Sequence, residues 1–348
     1  MQSKFPSYYL LTSSEKKALF NDTSCYFVFD TNALLDLYRL GKDKMDKVLE
    51  LIDKYIDRIV IPYHVAEEYH CEMLNVITNQ ISSCSNVIRD RKDDTIIRSL
   101  CEQLDLNKYP TLKDKFVSSL RSTLDSLYNG IESERNYLLE QLESWDLQKR
   151  IADCLGSKLL EGFNKEELKE IVTEGEMRYE EDIPPGYKDK GKTVNRYGDF
   201  IIWKEMLRFA EKEKCSIIFI SRDLKEDWVS ENNGMKCGPR YELLEEFKMK
   251  SGGSFVIYTL DKFLEYANEE KQILESVDLE EVIKVLKSLS SWGKLLKEKS
   301  KTISVEDYPN EKSQFTVESK EDGLKLKLKI PKEIQNDKES GQLKADSM

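Results

Sequence analysis

Only two histidines, His64 and His70, stand in the 348 residues, so a three-histidine zinc site is impossible. Their spacing is not that of an H-E-x-x-H metalloprotease helix either. Seven cysteines make an odd count with no C-x-x-C pair, which supports neither a disulfide framework nor a zinc knuckle, and they read as reduced thiols. No G-x-x-x-x-G-K-[ST] loop is present, which removes the commonest nucleoside-triphosphate motif. No apolar run approaches the ~20 residues of a membrane span. The opening MQSKFPSYYLLTSSEKK lacks the basic start, long apolar stretch and small-residue cleavage site of a secretory signal. These absences predict a cytoplasmic protein without membrane contact. Basic residues are also in deficit, 54 Lys and Arg against 65 Asp and Glu for a formal charge of -11. A broad phosphate-binding surface is therefore not expected, and any nucleic-acid site must be local and helped by metal.

What the chain does have is a series of short apolar runs separated by helical patterns. CYFVF at 25–29 is continuous and apolar, like a strand buried on both faces of a parallel sheet. It stops at Asp30, where a helix begins. A second helix is expected over 44–55 and a strand over 58–61, closed by Pro62. From Tyr63 a charged, helical region runs to about residue 183, with breaks expected at Pro110, Gly130, Gly156 and Gly162. PPGYKDKGKTVN (184–195) reads as a mobile loop. A helix over 198–214, the strand SIIFI (216–220), a strand over 255–259 and a helix from about Asp261 then follow. Strands alternating with helices in this order predict a parallel α/β sandwich. Beyond residue 300, segments 315–318 and 324–330 flank a KEDG turn, predicting a small hairpin with a lysine-rich face, followed by a polar tail.

In open α/β sheets the ligand site lies beyond the carboxyl ends of the strands. Asp30 and Asp223 both sit at the ends of apolar strands, Asp223 after Ser221 and Arg222. A helix cap accounts for Asp30 taken alone equally well; two such strand ends favour a shared site. The helix after Pro62 carries Glu67, Glu68 and Glu72. With Val65, Tyr69 and Met73 facing inward, Glu67 falls opposite the buried stripe, whereas Glu68 flanks it one turn nearer the strand end. Asp199 opens a later helix beside Gly198, whose small size leaves room for close approach. Hard divalent cations prefer such oxygen ligands, so the set suits Mg²⁺ or Mn²⁺ and the hydrolysis of a phosphodiester.

Five blocks in this order, FVFDTNALLDLYR (27–39), IPYHVAEEYH (61–70), RYGDFIIWKEM (196–206), ISRDLKEDW (220–228) and GPRYELLEEF (238–247), resemble the PIN-like nuclease domains, in a bacterial branch with a helical insertion. The resemblance implies a three-layer α/β/α fold with a central parallel sheet. It implies a metal-dependent endonuclease, with RNA favoured over DNA, whose metal and catalytic ligands fall on Asp30, Glu68, Asp199 and Asp223. Asn32 would orient the first carboxylate, and Asp227 is a further acid that either supports the site or pins the Trp228 loop. Arg222 departs from the pattern, standing where a small or acidic residue is expected; it either contacts phosphate or pairs with Asp227. Arg39, Arg196 and Lys225 join it as candidate substrate-phosphate contacts, with surface ion pairing as the plainer account of each. Trp203 is expected in the core, and Trp228 is a candidate for stacking on bases.

The corresponding domain map puts the nuclease core at 1–75 and 184–285, a helical insertion at 76–183, and an extension carrying the hairpin and tail at 286–348. The insertion would select substrate, mediate homo-oligomerisation or bind a regulatory protein. Two other readings compete: a PIN-like scaffold that binds without cutting, and a phosphotransferase with an aspartyl nucleophile, for which Asn32 stands where a second acid is wanted. A role in phage defence or a toxin-like response rests on the branch resembled alone.

Overall fold

β1 (Cys25–Phe29) lies at the centre of a parallel sheet in the computed structural model, which describes residues 1, 4–299, 314–320 and 323–329. β2 (Ile59–Val60), β3 (Ser216–Ile220) and β6 (Phe255–Tyr258) complete it in the order β2-β1-β3-β6, every pair parallel. Parallel neighbours in register point side chains the same way, so period-2 alternation divides the aromatics between two faces. Phe27 and Phe29 meet Phe20 of α1 (Ser13–Asn21), Tyr55 just after α3 (Lys42–Asp53), and Phe263 of α11 (Leu260–Lys271). Tyr26 and Phe219 face the other way. They pack on Phe209 of α9 (Gly198–Glu213), on Trp228 and on Phe255, with Phe247 of α10 (Tyr241–Ser251) beside them. Helices on both faces of one sheet make the three layers expected, and each of these aromatics except the half-buried Tyr26 and Phe209 is almost wholly buried and contributes about 1.5–3 kcal/mol.

Between β1 and β2 lie α2 (Thr31–Asp36) and α3; after β2 comes the helical region. It comprises α4 (Tyr63–Arg89), α5 (Asp93–Gln103), α6 (Pro110–Ser144), α7 (Asp146–Leu155) and α8 (Lys165–Glu180). Pro110 starts α6, as its missing N–H allows at a first helical position. Gly130 does not break that helix, which runs on for 35 residues. Ile97, Cys101 and Leu106 form a small core of their own against Phe116, Val117, Leu120 and Leu124. Where the chain returns, Ile61 makes a parallel bridge to Leu159.

Two features differ from expectation. The 184–195 segment, expected to be mobile, packs inward through Pro184, Pro185, Gly186 and Tyr187, and Lys188 N–H donates to Asp227 at 3.1 Å. An antiparallel hairpin of β4 (Val229–Asn232) and β5 (Met235–Pro239), together with α10, fills the stretch between β3 and β6. The chain divides into two units, residues 1–283 and 284–348. α12 (Ser276–Lys299) is the last helix among the described residues, and β7 (Gln314–Lys320) with β8 (Gly323–Lys329) forms an antiparallel pair where the hairpin is expected. Its lysine-rich face rests on side chains outside those described, and the tail at 331–348 lies outside the described residues. Among the described residues no helix is long and apolar enough to cross a membrane.

Candidate metal centre at the carboxyl edge of the sheet

Phe29 and Ile220 are partners in register, so β1 and β3 end side by side and deliver Asp30 and Ser221 to the same rim. Asp30 N–H donates to Ile220 O at 3.0 Å, and Ser221 N–H to Tyr258 O at 2.9 Å. Asp30 is 8% exposed. Its Oδ1 accepts Thr31 N–H at 2.8 Å, so it does cap α2. Its Oδ2 points the other way and accepts the Ser221 hydroxyl at 2.6 Å and the Asn32 amide. Asn32 in turn takes Arg222 N–H on Oδ1 at 2.7 Å, while Ser221 Oγ accepts Asp223 N–H at 2.9 Å. Asn32 therefore fixes the direction of Asp30. Burial raises the Asp30 carboxyl to about 7, with Glu68 and Asp223 adding like-charge repulsion.

Glu68 reaches the same rim from the second turn of α4. Its Oε2 accepts the Thr31 hydroxyl and its Oε1 the Asn195 amide. His64 lies beside them, Nε2 being 2.8 Å from Asn195 Oδ1 and 3.7 Å from Glu68 Oε1. Glu67 is exposed, as the helical wheel requires, and so is Glu72, which the wheel places beside the buried stripe. Asp199 stands in the first turn of α9, and its Oδ2 is buried without a hydrogen-bond partner. Burial raises that carboxyl to about 8; Lys225 opposes the rise, and Asp223 and Asp30 add to it. Gly198 has a different use from the one expected. A Cβ there would lie 2.6–2.7 Å from the Asn195 amide and Glu68 Oε1, so the glycine makes room for side chains of the site itself.

Asp223 accepts Lys225 N–H on Oδ1 at 3.1 Å and pairs with the Lys225 ammonium through Oδ2 at 2.7 Å. That ammonium is also 3.3 Å from Asp189 Oδ1 and 3.8 Å from Asp199 Oδ2. Burial works against the Lys225 charge, yet the Asp199 and Asp223 carboxylates outweigh it and hold the amine above the usual lysine range. Asp189 was not singled out from sequence; one acid among the lysines of KDKGK reads as loop charge. Thr31, Ser221 and Asn195 were missed as well, although a hydroxyl adjoining or preceding each strand-end acid, in DTN and SRD, is a visible signal. Asp227 is fully buried, with Oδ2 on Lys188 N–H and Oδ1 unpartnered. It anchors the 184–195 segment.

The candidate phosphate contacts separate. Arg39 pairs with buried Asp36 at 2.8 Å, and Arg222 approaches the same oxygen at 3.5 Å; Arg222 thus turns to Asp36 and not to Asp227. Arg196 lies over the Tyr197 ring, its Nε buried without a partner. Trp203 is buried as expected and donates to Glu246 at 2.9 Å. Trp228 is also buried, edge-on to Trp203, which removes it as a base-stacking platform.

The donor set is wholly carboxylate oxygen, the preference of Mg²⁺ and Mn²⁺. A buried, unpartnered Asp199 Oδ2 and two carboxyls raised chiefly by burial, with like-charged neighbours adding to the rise, are groups that a cation would satisfy. As placed, no three such groups among the described residues form a closed ligand cage. Their oxygens are engaged by Thr31, Asn32, Asn195, Ser221 and Lys225 instead. Comparison with known families matches residues 26–243 to the model of the PIN like domain. No curated protein and no solved structure matches the chain.

Proposed function

The chain belongs to the PIN-like domain family, a family of nucleases, and on that premise we propose that it is a Mg²⁺- or Mn²⁺-dependent endonuclease acting on RNA. The observation that carries this reading is the convergence of Asp30, Glu68, Asp199 and Asp223, from four separate elements, on the contacts of Thr31, Ser221 and Lys225 at one edge of the sheet. We assign the metal to these four. Bound there, it supplies activation of water and charge stabilisation at the scissile phosphate. Asn32 and Ser221 hold the Asp30 carboxylate in direction, and Thr31 and Asn195 do the same for Glu68. Arg39 and Arg222 stand beside the acids with donors to spare for substrate phosphate. An aspartyl nucleophile is disfavoured, because that chemistry wants a second acid close behind Asp30 and Asn32 stands there.

The test is cleavage of a labelled RNA, and of a DNA of the same sequence, with Mn²⁺ or Mg²⁺. Wild-type protein is expected to cut the RNA, and Asp30→Asn to lose roughly a hundredfold or more in rate. Equal rates in the two proteins reject the assignment, and preferential DNA cutting replaces the substrate. Metal binding without cutting in the wild type favours the scaffold reading. We further propose that residues 76–183 act as an insertion that selects substrate, pairs with a second copy or takes a regulatory protein. The exposed Val87, Leu112 and Leu127 on its helices support an interaction role. Placement in phage defence follows the resembled branch; a host protected equally by wild type and Asp30→Asn would remove it.

A further inference from the structure

We infer that Lys225 is a built-in cation of the acidic site, its ammonium filling the position among Asp189, Asp199 and Asp223 so that the chain takes one divalent ion and not two. The inference rests on the nuclease reading and adds to it the metal count and a role for two residues, Lys225 and Asp189. The turn after β3 sets the geometry. Lys225 N–H ties to Asp223 Oδ1 at 3.1 Å, and the side chain folds back so that Nζ lies 2.7 Å from Oδ2 of the same carboxylate. Nζ also stands 3.3 Å from Asp189 and 3.8 Å from Asp199 Oδ2, the buried oxygen that has no hydrogen-bond donor. An ammonium has three donors. Here the short contacts go to Asp223 and Asp189, with Asp199 at longer range, which leaves this lysine ill placed to serve as a phosphate contact.

Asp189 is brought in by a segment anchored from below. Lys188 N–H is held by buried Asp227. Gly186, in the left-handed region, lies so close to Tyr179 and Asp199 that a Cβ would meet the Tyr179 hydroxyl at 2.2 Å and Asp199 Cβ at 3.0 Å. This packing holds the carboxylate of Asp189 against Lys225. Two-metal hydrolases set their ions about 3.5–4 Å apart between shared carboxylates. An ammonium already pairing with Asp223 repels a divalent ion brought that close and occupies its ligands. The ion that remains is held by Asp30 and Glu68, with Asp199 and Asp223 shared between it and the ammonium.

The experiment titrates the full chain with Mn²⁺ alone, counting ions by calorimetry and by electron paramagnetic resonance. Wild type is expected to bind one ion per chain, Lys225→Arg one, and Lys225→Met two, with a spin-coupled signal from the pair. Adding Asp189→Asn to Lys225→Met should return the count to one. Two ions in the wild type, or one in a folded Lys225→Met, overturn the inference. If Lys225→Met does not fold, the wild-type count still decides. No ion in the wild type rejects the metal-dependent reading along with this one, whereas two ions accompanied by RNA cleavage reject only this one.

Discussion

Arg39 and Arg222 share one buried carboxylate, that of Asp36, whose side chain is 3% exposed. One carboxylate cannot use the ten N–H donors of two guanidinium groups, so donors are left over on both side chains. The pair therefore carries local positive charge on a chain whose total is -11. If both arginines contact phosphates of single-stranded RNA, each accounts for a slope of about 0.7 in the logarithm of affinity against the logarithm of salt. We expect Arg222→Ala and Arg39→Ala each to lower that slope by about this amount in metal-free binding assays. An unchanged slope would make them partners of Asp36 alone. Ser221 offers a second test at this scale. Its hydroxyl is buried between Asp30 and Asp223 N–H, and Ser221→Ala removes the acceptor of Asp223 N–H and leaves Asp30 Oδ2 to the Asn32 amide alone. Loss of a buried hydrogen-bonding group costs about 1–3 kcal/mol, and loss of such a supporting contact costs roughly 10–100-fold in metal affinity. Denaturant unfolding and Mn²⁺ titration measure the two separately.

Elements whose signal is local were legible in the sequence. CYFVF and SIIFI become β1 and β3 at the expected limits, because an unbroken apolar run can be buried on both faces only inside a parallel sheet. The wheel that favoured Glu68 over Glu67 and Glu72 held, since α4 is regular there. What was not legible depends on distant partners. Asp189 matters only because the 184–195 segment is anchored on Asp227, a contact 39 positions apart in sequence. α1 was overlooked even though Thr12 and Glu15 spell a capping box. The sequence predicts a break at Gly130, but glycine in a long helix costs only about 1 kcal/mol, which its neighbours overcome. Nothing lies within 4 Å of a Cβ at Gly130, so Gly130→Ala should raise stability by about 0.5–1 kcal/mol in chemical denaturation. The opposite outcome is expected at Gly198. Alanine there displaces Asn195 and Glu68, and Gly198→Ala should weaken Mn²⁺ binding; unchanged affinity would mean that Glu68 is not a ligand.

Across the whole molecule, three crowded or buried carboxyls tie stability to pH. Burial is the leading cause in each: it raises Asp30 to about 7, Asp199 to about 8, and Glu205, 1% exposed, to about 7. A raised carboxyl keeps its proton in the folded state when the unfolded chain has already lost it. Between about pH 4 and 7 the native state therefore binds more protons, and stability falls as pH rises, by up to about 1.4 kcal/mol per unit for each group. Below that range the trend reverses, because Glu246 is held low by Arg178 and must be protonated there, although its burial works the other way. The metal-free protein should thus be most stable in mild acid. Divalent metal changes the slope selectively. It replaces the protons of Asp30 and Asp199 but leaves Glu205, which faces His64 N–H at 3.1 Å, as it was. Melting temperature measured from pH 5 to 8 should fall steadily in chelator and much less steeply in Mn²⁺. At pH 8 a hundredfold excess of Mn²⁺ over its Kd adds about 2.7 kcal/mol. Glu205→Gln should remove part of the remaining slope in both conditions. Parallel curves with and without Mn²⁺ would show that the ion does not bind at Asp30 and Asp199.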